Sequence, residues 1–412
     1  MKTKVKADGA TLAPPRHSRV GERQSSGGAE VRYRWRMGDP ARKIVLTTAV
    51  LLAFGLAVLY SASAYEAVGK PGLGSSTGAY YLLKQLSGVA VGAIVFVFAA
   101  KIDAARLEKL AWPLMIFAIV TMTAVLFLGA RVNGSTRFLV GNSFQPSEFA
   151  KLAVIVWVSM LIVRKGDTLR RLSKGLLPFL VVIGVLDVLA ALEPDLSVAM
   201  LYTLLMAMLL YVGGARMAHF VFLGALAIPV VLKKAGGFAY AEARIASFFD
   251  PSSASETVSY QLNQSLIAVG SGGWTGRGFG QGMQQLGFLP FPYSDFIASN
   301  IGEEWGFLGL IGVTLLFAAY GLQGFRIARQ ARSQFLQLVA IGLTFTTVLT
   351  AYLHIGVVIG LLPTTGLTLP FISYGRSNLV LTLLFTGILV NIGSTREKVI
   401  GGSATDPTAA TP

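Results

Sequence analysis

The chain has 412 residues, of which 53% are hydrophobic and only 13% are charged. Such an apolar excess is typical of a protein whose solvent is lipid, and it excludes a soluble enzyme of this length. The 35 lysines and arginines outnumber the 20 acidic residues, giving a formal net charge of +15. The absence of cysteine excludes disulfides, thiolate nucleophiles and iron–sulfur clusters, and three scattered histidines do not suggest a zinc site.

Both ends of the chain have the composition of disordered cytoplasmic tails. Residues 1–43 carry eleven lysines and arginines and almost no aliphatic side chains, so they cannot bury a core. They are not a signal peptide, because no apolar run occurs before Ile44 and no cleavage motif follows a short one. Residues 397–412 end in a low-complexity stretch. The membrane domain is therefore expected to cover 44–396.

A helix needs about 20 apolar residues to cross the hydrocarbon. The sequence predicts an all-α polytopic membrane protein with ten transmembrane helices, the seventh being the shortest. The predicted spans lie near 44–64, 80–100, 111–129, 147–163, 176–192, 196–213, 218–232, 301–322, 335–362 and 367–393.

The distribution of positive charge predicts the topology. If the N-terminus is cytoplasmic, 25 of the 35 lysines and arginines lie in cytoplasmic segments, as the positive-inside rule requires. Omitting the seventh span would move Arg326, Arg329 and Arg332 outside. Both termini are then cytoplasmic, and the long extracytoplasmic loop at 233–300, between helices 7 and 8, is expected to fold against the membrane.

Charged residues within or at the mouth of spans are functional candidates by default. One group surrounds the start of the fourth span, where Pro146 favours a helix start. Glu148 and Lys151 lie three residues apart and can form a local ion pair on one helix face. In the functional alternative, Arg137 and Lys151 bind an anionic group such as a phosphate.

A second group lies in and after the long loop. The glycines of 270–282 follow no strand and do not fit a nucleotide-binding pattern, so they favour close backbone approach or hinge motion. If Ser294 caps the eighth helix, Asp295, Ser299 and Glu303 form one stripe. Asp295 at the mouth of the span and Glu303 deeper within it indicate either a proton path or a catalytic base with a supporting residue. For Asp295, simple complementation of the helix dipole is the alternative.

The third group is 362–378, where two prolines and two glycines in an apolar setting predict a broken helix. A broken helix is tolerated at membrane depth only where protein or a water-filled cavity forms hydrogen bonds with the freed backbone groups. Ser373, Tyr374 and Arg376 are candidates to line the same cavity as the first two groups, with an outer-face turn as the alternative. His354, alone in the ninth span, is interpreted as a packing residue.

These segments together resemble the signature segments of the SEDS family (shape, elongation, division and sporulation). The matching stretches, in chain order, are Gln145-Pro-Ser-Glu-Phe-Ala-Lys151, Gly270-Ser-Gly-Gly, Ser294-Asp295-Phe-Ile, Gly302 to Gly309 and Pro363 to Gly375. The resemblance implies a ten-helix inner-membrane peptidoglycan glycosyltransferase that polymerises lipid II. It also implies a cognate class B penicillin-binding protein as partner, and Asp295 as the catalytic residue.

The basic N-terminal extension resembles division members more than elongation members, which implies a location at the division septum with other division proteins. The chain departs from the family pattern at three notable places. Tyr293 and Ser294 stand where a His-Thr pair is common, Glu193 stands where Gln is usual, and Arg376 replaces a small residue.

In the mechanism that we expect, Asp295 accepts the proton of the acceptor sugar hydroxyl as general base. Arg137 and Lys151 stabilise the departing pyrophosphate, with Mg²⁺ or Mn²⁺ as a candidate addition and no other cofactor expected. The full set of substrate-binding candidates is Arg137, Glu148, Lys151, Arg244, Arg277, Glu303 and Ser373. A lipid II flippase and a non-catalytic division scaffold are the alternatives, and no nucleic-acid partner is expected.

Overall fold

A computed structural model describes residues 31–68, 77–132, 135–139, 144–216, 218–219 and 256–400. Helices dominate this part of the chain. They are α1 (Asp39–Val68), α2 (Tyr80–Lys101), α3 (Leu107–Leu128), α4 (Pro146–Lys165), α5 (Leu177–Leu192), α6 (Leu196–Val212), α7 (Glu256–Gly272), α8 (Ile297–Arg329), α9 (Gln334–Val358) and α10 (Arg376–Ile392).

Short strands form two small two-stranded sheets within the described residues. In one of them β1 (Val31–Met37) pairs with β4 (Ser394–Ile400), so parts of both predicted tails have regular structure. In the other, β2 (Ala130–Val132) pairs antiparallel with β3 (Ser135–Phe138). All ten described helices belong to the compact unit of residues 36–395.

Most of the helices are built to cross a membrane. Seven are long and apolar enough to do so: α1, α2, α3 with its leading turn, α4, α5, α8 and α9. The shorter α6 and α10 are also apolar. The predicted all-α polytopic membrane fold is confirmed, with α1–α6 and α8–α10 matching nine predicted spans. Most of the seventh span, near 218–232, lies outside the described residues, so the total of ten stays a prediction.

Helix α4 forms the interior of the bundle. Buried positions make up 83% of its apolar window but only 17% of that of α2. Trp157 of α4 is 1% exposed and packs edge-on against Trp112 and Phe179. In lipid such packing, rather than removal of apolar surface from water, stabilises helix association. As predicted, α4 begins at Pro146, which places Glu148 and Lys151 inside the protein.

The chain between α9 and α10, residues 359–375, is not helical, and we call it the proline segment. The predicted start of the tenth span at 367 is therefore wrong, whereas the predicted helix break is confirmed. Pro363 and Pro370 lack an N–H donor, and Phe371 has a positive φ of 66°. Other protein groups pair with part of the freed backbone: the N–H of Tyr374, for example, donates to Tyr293 O at 2.9 Å.

Helix α8 is interrupted at Gly306, where φ is 64° and ψ is −160°. Residues 273–282, the glycine segment, dock against this kink. Four backbone hydrogen bonds join them: Arg277 N to Glu303 O (2.9 Å), Gly278 N to Glu304 O (3.0 Å), Phe307 N to Gly273 O (2.9 Å) and Leu308 N to Trp274 O (3.1 Å). The close backbone approach predicted from the glycines is thus confirmed, and it satisfies the groups freed by the kink.

Candidate active site

Asp295 lies in a turn immediately before α8, with its side chain half-buried. The helix begins at Ile297, and its N-terminal cap is Phe296, which makes no side-chain capping bond. Ser294 therefore does not cap this helix, and the condition for a stripe of Asp295, Ser299 and Glu303 is not met. The chain remains in turns through this stretch, with the N–H of Ser294 donating to Phe291 O at 3.2 Å. Asp295 consequently projects from a loop rather than from a helical stripe.

The turn that carries Asp295 is fastened to the proline segment. The Ser373 hydroxyl donates to Ser294 O at 2.7 Å and accepts from Leu369 N at 2.8 Å. The adjacent backbone bond from Tyr374 to Tyr293 runs beside it. Ser373, predicted as a substrate ligand, thus uses its hydroxyl hydrogen to position the residue before Asp295.

Gln85 of α2 supports the same junction from behind. Its side-chain amide donates to Ser373 O at 3.1 Å, and its amide oxygen accepts from Gly375 N at 3.2 Å. Gln85 is 1% exposed, and this pairing gives both polar atoms of the buried amide a partner in the proline segment. Sequence reasoning missed Gln85, although a lone amide in an apolar helix was a usable signal.

Three tyrosines pack beside the turn. The rings of Tyr81 and Tyr293 lie 4.4 Å apart between centroids, and Tyr374 packs edge-on against Tyr81. The hydroxyls of Tyr81 and Tyr293 each donate to Glu66 at 3.1 Å. Burial raises the pKa of Tyr293 above its ordinary value, so its hydroxyl remains a donor at neutral pH. Glu66 was not among the sequence-predicted residues.

Asp295 lines a small, partly enclosed cleft, which we call the Asp295 cleft. Its polar lining comes from Gln261, Asp295, His354, Thr364 and Thr365. The Nδ1 of His354 lies 2.7 Å from Leu367 O, which ties α9 to the proline segment. Of the described lining residues, Asp295 alone carries a carboxylate. The cleft therefore combines one base with several neutral hydrogen-bonding groups.

Glu148 and Lys151 form the predicted local ion pair, 2.7 Å apart, with side chains only 9% and 5% exposed. They line a second cleft, and the described linings of the two clefts share no residue. The other polar groups in this second cleft are Thr346, Thr347, Thr350, Asn378 and Thr382. The structural interpretation of the pair is confirmed, whereas phosphate binding by Lys151 stays a prediction.

Arg137 holds the turn between α5 and α6. Its guanidinium donates to Glu193 O at 3.3 Å and to Pro194 O, and it lies 3.7 Å from the Asp195 carboxylate. The side chain is 29% exposed. Arg137 therefore has a structural role. Its binding of a phosphate stays a prediction.

Glu193 is fully buried in this turn. Burial, reinforced by the nearby Asp195 carboxylate and opposed by Arg137, raises the pKa of Glu193 to about 8. Its carboxyl group is therefore mostly protonated at neutral pH. A protonated carboxyl is uncharged and has one donor, which is chemically close to the Gln that the family resemblance places at this position.

Glu303 anchors the glycine segment and the two residues that follow it, and it does not line the Asp295 cleft. Its carboxylate accepts from Met283 N at 2.9 Å and Gln284 N at 3.1 Å, and lies 3.5 Å from the guanidinium of Arg277. Arg277 is 41% exposed, so it can still meet an anionic ligand. The third arginine predicted to bind substrate, Arg244, lies outside the described residues.

The described residues contain no group of three or more His, Asp or Glu side chains arranged to hold a metal ion. Protein sites for Mg²⁺ or Mn²⁺ are built mainly from carboxylate and carbonyl oxygens, and the described lining of the Asp295 cleft offers a single carboxylate. These donors do not by themselves form a metal site, and a divalent cation stays a prediction.

Sequence comparison then decides the family. Residues 42–398 match the cell cycle protein family of FtsW, RodA and SpoVE. The chain belongs to this family. The probable peptidoglycan glycosyltransferase FtsW of Trichlorobacter lovleyi is 34% identical over 368 residues, which cover 88% of this chain and 96% of that protein. Stage V sporulation protein E of Bacillus subtilis is 34% identical over 358 residues, covering 86% and 97%.

Solved structures agree with this assignment. A chain from a peptidoglycan synthase complex that coordinates polymerization and crosslinking superposes with a TM-score of 0.71 at 25% identity, covering 85% of this chain and 96% of that one. The rod shape determining protein RodA of Thermus thermophilus has the same fold, with a TM-score of 0.60 at 24% identity and coverage of 85% and 95%. The family resemblance inferred from the motifs is confirmed.

Proposed function

We propose that this chain is a peptidoglycan glycosyltransferase that polymerises lipid II for septal wall synthesis, with Asp295 as general base. The observation that carries the proposal is the half-buried Asp295 carboxylate at the edge of a neutral polar cleft. The turn that carries it is fastened by the hydrogen bond from Ser373 to Ser294 O. Sugar hydroxyls both donate and accept hydrogen bonds, so amide, hydroxyl and imidazole groups suit them. Relatives that match most of the chain are named probable peptidoglycan glycosyltransferase FtsW, which supports glycosyl transfer.

Lipid II is a disaccharide-peptide linked to a polyprenyl pyrophosphate. In the proposed step, Asp295 takes the proton from the 4-hydroxyl of the acceptor sugar. The resulting oxygen nucleophile forms a bond to the anomeric carbon of the donor while the bond from that carbon to the pyrophosphate oxygen breaks. The pyrophosphate leaves with the electron pair, and the anomeric configuration inverts.

Cationic side chains would stabilise the charge that develops on the pyrophosphate. Arg137 and Arg277 support this role best, because their guanidinium groups are 29% and 41% exposed. Lys151 is paired with Glu148 inside the protein. Its contribution would require this pair to rearrange around substrate.

Two further observations support a partner and a location. The structural neighbour from a peptidoglycan synthase complex supports a crosslinking partner, which we take to be a class B penicillin-binding protein. The asymmetry of lysine and arginine supports cytoplasmic termini in the inner membrane. A septal location and contacts with other division proteins are part of the same proposal.

Purified protein with its cognate transpeptidase should form glycan strands from lipid II when a β-lactam blocks crosslinking. The transpeptidase alone provides the baseline. Polymer above this baseline supports the polymerase. Lipid II translocation in proteoliposomes without polymer would favour a flippase instead, and neither activity would favour a scaffold.

A further inference from the structure

Two buried polar atoms of the Asp295 cleft have no hydrogen-bond partner among the described residues: Nε2 of His354 and the hydroxyl oxygen of Thr364. The two residues are 1% and 9% exposed. An unpaired buried polar group costs about 1–3 kcal/mol. Side chains left in this condition beside a half-buried carboxylate are suited to a ligand rather than to packing.

The orientation of the His354 ring defines what it offers to the cleft. Its Nδ1 lies 2.7 Å from Leu367 O, and a carbonyl oxygen can only accept. Nδ1 therefore carries the hydrogen, and Nε2 of the neutral ring presents a lone pair. The Thr364 hydroxyl can donate as well as accept. Together they complement a hydroxyl group, which does both.

We propose that His354 Nε2 and the Thr364 hydroxyl form a subsite that binds a hydroxyl of the acceptor sugar beside Asp295. The subsite rests on the proposed polymerase function and adds two substrate-binding residues to it. His354 then does more than pack in α9: one ring nitrogen holds the proline segment, and the other binds substrate.

Isosteric substitutions separate these two roles. His354→Asn places an amide near the Nδ1 position, so it preserves the bond to Leu367 and removes Nε2. His354→Gln places its amide near the Nε2 position instead. Thr364→Val removes the hydroxyl at nearly constant shape, and Thr364→Ser retains it. Thr121→Val is a matched control, because the Thr121 hydroxyl donates to Phe117 O on α3, outside the cleft.

The test measures initial polymerisation rates against lipid II concentration, using the full chain with its cognate transpeptidase. His354→Asn and Thr364→Val should each raise KM about five- to tenfold, the value of one lost hydrogen bond, with little change in kcat. The unfolding temperature should stay at the wild-type value. His354→Gln and Thr364→Ser should recover most of the lost affinity, and Thr121→Val should leave KM unchanged.

Wild-type KM in both His354→Asn and Thr364→Val would overturn the subsite, as would a fall in unfolding temperature that accounts for the lost activity. Binding of lipid II with a fluorophore on its peptide, measured in an Asp295→Asn background, separates this proposal from the polymerase proposal. If wild type makes no polymer but the variants still weaken binding, the polymerase fails and the subsite stands. If wild type polymerises and binding is unaffected, only the subsite fails.

Discussion

The hydroxyl of Ser373 donates to the carbonyl oxygen of Ser294, 2.7 Å away and one residue before Asp295. This bond joins two segments separated by 79 positions in the chain. Because Ser373 also accepts from Leu369 N, the hydroxyl fixes both the Asp295 turn and the proline segment. The position of the proposed base therefore depends on a neutral side chain that does no chemistry.

Ser373→Ala should lower kcat for glycan polymerisation about tenfold, since it removes a hydrogen bond of roughly 1–1.5 kcal/mol that positions Asp295. Steady-state kinetics on lipid II measures the effect. Ser87→Ala is the matched control, because its hydroxyl bonds only locally, to Lys84 O on the exposed face of α2. Equal loss in both variants, or an unchanged kcat in Ser373→Ala, would remove the positioning role.

Gly276→Ala should destabilise the protein far more than Gly280→Ala. Both glycines have positive φ, at 82° and 75°, but a Cβ at Gly276 would lie 2.1 Å from Glu304 O, whereas nothing lies within 4 Å of one at Gly280. Placing alanine at positive φ costs about 1 kcal/mol at either position. Any further loss of stability in Gly276→Ala therefore measures the docking of the glycine segment. Unfolding temperatures of the purified variants provide the comparison. Equal shifts would contradict the close approach.

Local features of the site were accessible from the sequence. The helix start at Pro146, the pairing of Glu148 with Lys151 and the broken helix before α10 follow from rules that act within a few residues. The role of Glu303 was not accessible. Its carboxylate binds backbone N–H groups about 20 positions away in the chain, and only the folded glycine segment brings them together.

Long-range polar pairs account for the other omissions. Gln85 meets the proline segment from α2, and Glu66 of α1 meets Tyr293 across 227 positions. The periodicity of an apolar helix predicts which residues share a face but not which helix that face meets. Ser294 does not cap α8 for a local reason: the chain stays in turns through Phe296, so α8 begins later than a cap at Ser294 would place it.

Glu193→Gln should stabilise the protein increasingly as the pH rises from about 4.5 to about 8. In the wild type the folded state keeps the Glu193 proton up to a pKa of about 8, while the unfolded state loses it near its ordinary value of 4.5. Between these values the folded state binds more protons, so the wild-type free energy of unfolding falls with pH. Above pH 8 the difference in free energy of unfolding between the two proteins should be constant. It should amount to a few kcal/mol, since each unit of pKa difference corresponds to about 1.4 kcal/mol. Unfolding temperatures of both proteins from pH 5 to 9 test this, and a difference that shrinks as pH rises would contradict it.

Lys151→Met should lower stability by about 3–5 kcal/mol, because it leaves the buried Glu148 carboxylate without its partner. Adding Glu148→Gln should restore most of the loss. The double variant then tests the pyrophosphate role in a folded protein. A raised KM for lipid II in that variant would support phosphate binding by Lys151, whereas wild-type kinetics would limit the pair to structure.

The most direct test of the proposed catalytic role of Asp295 is glycan-strand formation from lipid II by the purified complex carrying Asp295→Asn. Asp103→Asn is the matched control, because Asp103 is exposed and only caps the turn before α3. The loss of a general base predicts a rate at least about 100-fold below wild type, with lipid II binding retained and Asp103→Asn fully active. Polymerisation by Asp295→Asn at the wild-type rate would contradict the assignment of Asp295 as the base.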